Sequence, residues 1–446
     1  MGKRSDNLVE VILYRNYFNK LKQLKMKTKK LLIASIIMLG ATTFFTSCSK
    51  DKSTDPIVET PVPTPDTSFP STTVTGNITS NTTWTKDKIV YLDGRVIVTA
   101  PAELTIEAGT VIKGKPGSDA NAAVLVIGVG AKIHATGTVS TPIIFTSADD
   151  QIIPGQISSP NLTINNKGLW GGVVILGDAP CSTPTGGTAE IEGIPAGTVG
   201  TTYGGSDAAD NSGELQYVSV RHGGVIIGAG NELNGLTLGG VGSGTTINHI
   251  EIFGNLDDGI EFFGGSVNAS DLIVVKIDDD SYDVDQAWSG TVLNYMAIIG
   301  ENQEGDAFEI DGPEGSLNAT GVGTFDKGYI IGHPSNAACD YAVFKSKAQC
   351  NLQNTYFTGF NAANKMVVNG ADAYNNYLGT GSSTLSISSN VFNTGGLIGM
   401  FKSDQVGYDE NNFVTNNTTG NSLTNGFDGT QFTGWTFADK LGIITY

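Results

Sequence analysis

The chain has 446 residues, 58 of them Gly and only 16% of them charged, with a formal net charge of −18. That composition is unlike an ordinary α/β enzyme, and so acidic a surface argues against nucleic acid and anionic headgroups as partners. It suits calcium, basic partners or plain solubility.

Residues 1–25 read as an upstream extension, and 26–47 as a secretory signal. Lys27, Lys29 and Lys30 precede an apolar run, Leu31–Phe45, that is too short to span a bilayer comfortably. It ends in small residues before Cys48. Residues 48–83 read as a disordered Pro/Thr-rich tether, with DPIVETPVPTPDTSFP (55–70) reaching about 3 Å per residue if polyproline-like.

From Trp84 to the C-terminus (84–446) the expectation is all-β: a single right-handed parallel β-helix solenoid. KIVYLDGRVIVTAPAELTIEAGTVIKGK (88–115) and VLVIGVGAKIHATGTVSTPIIFTSADD (124–150) are short β-rich runs punctuated by Asp-Gly, Ala-Pro-Ala and Ala-Gly. Residues 179–213 lack periodicity and read as a long loop between coils, of the kind that is functional or disordered. Strands resume at GELQYVSVRHGG (213–224).

The pattern is clearest from Ile247 to Pro313, where strand, acidic turn and second strand are written three times. Asp258, Asp280 and Asp306 fall at matching places, 22 and 26 residues apart, and Glu261, Asp283 and Glu309 follow three residues later. Steps of that length are solenoid coils, none of which buries its apolar face alone. Alternation points Ile260, Phe262, Tyr282, Val284, Phe308 and Ile310 inward, and Glu261, Phe263, Asp283, Asp285, Glu309 and Asp311 outward. With strands stacked about 4.8 Å apart, the carboxylates form a solvent-facing grid that repels itself unless a cation, protons or water screening relieves it.

After Pro313 the pattern loosens, with Asn at turns in residues 341–360 and 383–396, and GWTFADKLGIITY reads as a segment closing the last coil. Cys339 and Cys350 flank DYAVFKSKAQ and are a candidate disulfide in an exported protein, leaving Cys181 over. No CxxC pair or HExxH is present, which argues against structural zinc and a metalloprotease.

LTIEAGTVIKG, GAKIHATGT, PIIFTS and GLWGGVVILG (168–177) resemble a family of Bacteroidetes-type surface lipoproteins with pectin-lyase-like right-handed β-helices, over roughly Trp84–Pro313. Phe45-Thr46-Ser47-Cys48 resembles their lipobox, and Ser49-Lys50-Asp51-Lys52 their surface-export signal. The resemblance implies a protein anchored in the outer membrane through acylated Cys48 and facing outside. It carries over no activity.

Three functions compete. The first is binding of an extracellular ligand, a glycan or surface partner, with calcium held by oxygen ligands of Glu261, Asp283, Asp285, Glu309 and Asp311. Phe263 and Trp288 would then stack on sugar rings. The second is a polysaccharide lyase or glycoside hydrolase, with Asp258, Asp283 and Asp285 as carboxylates and Arg221 or Lys276 as base. The third is a structural or adhesin-like rod.

Overall fold

The computed structural model describes residues 69–195, 197–226 and 233–444. The signal segment and residues 48–68 of the tether, Cys48 among them, lie outside them. The fold is the expected parallel β-helix: 25 strands share one sheet in which strands of successive coils pair in parallel. Ala189–Glu190 and Thr202–Tyr203 pair antiparallel, as a hairpin inside the long loop.

Two faces of the helix come from one strand per coil. Gly213–Arg221, Thr246–Phe253, Asn268–Val275 and Thr291–Ile298 are each broken once, at Tyr217, His249, Asp271 and Asn294, whose φ lies between 51° and 57°. Pairing skips this residue and resumes beyond it: Asn248 pairs with Ser270, and Ile250 with Leu272. A single left-handed residue thus turns a corner without a loop. Asn and Asp tolerate that conformation, whereas other L-residues adopt it at a cost of about 1–2 kcal/mol. The third face is built from short strands, among them Leu236–Gly239, Ile260–Phe263, Tyr282–Asp285, Phe308–Ile310 and Ala342–Phe344.

The inward residues of the repeats make the core. Ile260, Phe262, Tyr282, Val284, Phe308 and Ile310 are all buried. Rings from successive coils meet edge-on or tilted, as in Phe308–Phe325 at 5.2 Å and Phe262–Trp288 at 4.5 Å. Trp288 is fully buried and donates from Nε1 to the Val267 carbonyl at 3.1 Å, so it is not a sugar platform. Phe263 is also covered.

Two boundaries differ from expectation. Ser71–Ile78 already pairs with Ile89–Val98, so the strands begin inside the segment read as tether. Its sequence STTVTGNI carries the β-branched residues that suit a pleated surface, and a parallel neighbour outweighs the Pro-rich context before it. At the other end the last coil is closed by Phe413, on the short helix Asn411–Asn416, which packs on Phe392 at 5.5 Å and Phe401 at 5.7 Å.

The predicted closing segment, from Gly434, instead continues a strap that begins near Asn425 and runs back along the outside. Asn425 donates to the Gly328 carbonyl (2.7 Å), and the Asp428 N–H donates to the Asn294 side chain (2.7 Å). Gln431 meets His249 (3.1 Å), and Trp435 lies edge-on to Tyr217 at 5.6 Å. These contacts follow the left-handed corner from coil to coil. The reason is apolar: Phe253, Ile273, Val275, Met296 and Ile298 face outward there, and Phe432 and Phe437 of the strap bury them.

Candidate functional site: a carboxylate cluster beneath the long loop

Four aspartates form a ladder along one corner. Asp258 accepts from the Asp280 N–H (2.9 Å), and Asp280 from the Asp306 N–H. Asp306 accepts from the Asp340 N–H (2.6 Å), and Asp340 from the Lys365 N–H (2.6 Å). Each side chain satisfies a backbone donor of the next turn, which would otherwise lack a partner in the bend. Asp340→Ala strips the acceptor from the Lys365 N–H and is expected to cost about 1–3 kcal/mol in chemical denaturation. Asp340→Asn keeps an acceptor oxygen and should cost less.

Beside the ladder runs a second row. Glu261 pairs in register with Asp283, and Asp283 with Glu309. Ladder and row converge: one carboxylate oxygen from each of Asp258, Glu261 and Asp283 lies within 4.8 Å of the others, and so does one from each of Asp280, Asp283 and Glu309. Asp283 belongs to both groups. Asp257, Asp258 and Asp279 make a third at the turn. Asp285 and Asp311 line a small adjoining cleft with Glu314 and Lys347.

The expected solvent-facing grid is corrected here. Glu261 is 4% exposed and Asp258 7%, while Asp283, Asp285, Glu309 and Asp311 are half-buried. The cover is the long loop. Phe263, the apolar member of the outward set, packs with Cys181, Ile191, Ile194 and Tyr203 of that loop. Tyr203 donates to the Gln286 side chain (3.0 Å), which donates to Glu314 (3.0 Å). A ring that must leave water draws the loop down over the carboxylates next to it.

Burial therefore pushes Asp258, Glu261, Asp280, Asp283 and Asp285 well above the usual carboxylate range, and repulsion between them adds to it. Burial also lifts Asp306 to about 7 and Asp311 to about 6. Lys345 answers part of the charge through an ion pair with Glu309. Burial works against its ammonium, but Glu309 holds it above the ordinary lysine range. Three oxygens at this site, Asp283 Oδ1, Asp311 Oδ1 and Asn234 Oδ1, are buried without a hydrogen-bond partner. The amide nitrogen of Asn234 is spent on Glu261. Crowded carboxylates with spare oxygen acceptors are a donor set that fits a hard cation such as calcium.

A family profile, the pectate-lyase-like β-helix domain, matches residues 76–438, most of the chain. The protein belongs to the pectate-lyase-like β-helix family. No curated protein and no solved structure matches it.

In this pectate-lyase-like β-helix the two basic candidates stand apart from the carboxylates. Arg221 is fully buried: Nε donates to Ser219 (2.6 Å), Nη1 donates to the Ile157 carbonyl (2.6 Å), and the guanidinium lies 4.7 Å from the Phe437 ring centroid. It is sealed beneath the strap and cannot reach a substrate. Its partner Glu251, 3.8 Å away and equally buried, accepts from the Phe437 and Ala438 N–H groups of the strap, both at 2.9 Å. Lys276 lines a separate pocket with Lys167 and His333. Cys339 and Cys350 are not joined. Both are buried free thiols in the main core, Cys350 at the start of the strand Cys350–Thr358 and Cys339 in the turn before Ala342–Phe344, and Cys181 is a third buried free thiol.

Proposed function

We propose that this β-helix binds an extracellular polysaccharide and that a divalent cation, calcium by the chemistry of its ligands, occupies the carboxylate cluster. The observation that carries the reading is the convergence of carboxylates from three coils on Asp283, with buried oxygens left unpaired. The family supports a polysaccharide as the ligand class. The lipobox-like Phe45-Thr46-Ser47-Cys48 supports anchoring in the outer membrane, facing outside. The test is calorimetric titration of calcium into chelator-treated protein, followed by retention on a polysaccharide panel with and without calcium. Saturable calcium binding weakened at least tenfold by Asp283→Asn, with calcium-dependent retention on one polysaccharide, is the expected result. No calcium binding would leave the cluster a protonated structural feature.

The lyase reading is weakened, because of its two candidate bases Arg221 is fully buried and Lys276 lines a separate pocket that contains none of Asp258, Asp283 and Asp285. A hydrolase acting through Asp258, Asp283 or Asp285 is the alternative outcome of the same panel. It would show as new reducing ends that Asp283→Asn abolishes.

A further inference from the structure

Two pockets meet at one lysine, next to the Asp257–Asp279 turn group but sharing no residue with the carboxylate cluster. The first, about 460 Å³, is polar: Lys167, Lys276 and His333 line it with the carboxylates of Asp278 and Glu301 and the amides of Asn165 and Asn302. The second, about 400 Å³, is mainly apolar, walled by Leu162, Ile164, Phe437, Leu441 and Ile443. Ile164 and Lys276 line both, so the two are compartments of one groove between the 159–167 loop, the strap and the turns of successive coils. Each volume falls within the range of small-molecule sites.

Lys276 is held there at a conformational cost. The register pairs Arg221 with Phe253 and Phe253 with Val275, so the corner residues that follow are His222, Gly254 and Lys276. All three are left-handed, with φ of 61°, 66° and 48°. In the preceding coil glycine fills the position without strain, whereas here a long cationic side chain is kept. Among the described residues no hydrogen bond or ion pair engages the Lys276 ammonium. Lys167 is close enough to repel it, and its own carboxylate partner is Asp278. Glu301, the second carboxylate of the compartment, is exposed and makes no ion pair with Lys276. A strained, unpaired ammonium at the mouth of an apolar compartment is complementary to a ligand with an anionic head and a hydrocarbon body.

We infer that this groove binds a single-chain amphipathic carboxylate, with the alkyl chain along Leu162, Phe437 and Ile443 and the carboxylate on Lys276. The assignment is independent of the cation site, since it shares no residue with the cluster. The probe is dodecanoate below its micelle concentration, titrated calorimetrically into the protein, with dodecylamine and an uncharged dodecyl glycoside as controls. One saturable site is expected, with both controls at least tenfold weaker. Lys276→Gly relieves the backbone strain, so its melting midpoint should hold or rise while dodecanoate affinity falls at least tenfold. Ile164→Glu should weaken dodecanoate to a similar extent. Absence of saturable binding, equal affinity for dodecylamine or the glycoside, or undiminished binding by Lys276→Gly would each overturn the inference.

Discussion

Glu251→Ala is expected to lower the stability of the β-helix by about 3–5 kcal/mol, because it leaves Arg221 as a buried charge beneath the strap without its ion-pair partner. Glu251 stands between two halves of the structure. On one side it lies 3.8 Å from the guanidinium and accepts from Ser219 at 2.6 Å. On the other it caps two N–H groups at the start of the helix Phe437–Lys440 in the strap. Removing it therefore also releases the strap. Limited proteolysis should clip the variant between the last coil and Trp435 well before the parent protein. Replacing Arg221 and Glu251 together by Met and Leu should recover much of the loss, since a buried ion pair is commonly no better than apolar residues of similar volume. If Glu251→Ala melts like the parent and resists protease, the strap is held by its apolar contacts alone.

The second large effect is the response to pH. The clustered carboxylates have folded-state values raised above about 4, their value in an unfolded chain, so between those two limits the folded protein holds the extra protons. Stability is then fullest at low pH and falls as pH rises through the folded values, about 6 for Asp311 and about 7 for Asp306. Chelator-treated protein should accordingly melt at a higher temperature at pH 5 than at pH 8. Calcium should reverse this at pH 8. At a hundredfold excess over its Kd it supplies about 2.7 kcal/mol, roughly 5 °C at the scaling of mid-sized domains. Uptake should release protons into weak buffer, and Asp283→Asn should remove both the reversal and the release. A midpoint that is flat from pH 5 to pH 8 and blind to calcium would show that the carboxylates are relieved locally.

The coils were legible because their cause is local. Alternation in IEFF, YDVD and FEID places each residue inside or outside without reference to anything distant, and the six inward residues are buried as their periodicity requires. The ladder was three-quarters legible: Asp258, Asp280 and Asp306 stand at steps the eye can match, whereas Asp340 follows after 34 residues, stretched by the insertion around 311–322. Whether the outward acids would meet water depended on where residues 179–213 went, and an aperiodic loop carries no such signal. Only Phe263, an aromatic among outward acids, hinted that something would cover them. The roles of Arg221, Glu251 and the strap are tertiary, joining residues 186 positions apart, and no spacing rule reaches that far.

The aspartate ladder also separates phase from length. Its hydrogen bonds join residues 22, 26, 34 and 25 positions apart, yet every one makes the same contact at the same corner. Segments of different size leave that corner and return to it in step. The outward loops are thus free to grow or shrink at small cost, because loop closure becomes only slowly harder with length. A peptide grafted into residues 315–322 should leave the neighbouring coils in register, provided Asp340, the ladder residue that closes that coil, is kept. In this protein the tolerance of the chain to new sequence is set by one carboxyl group per turn.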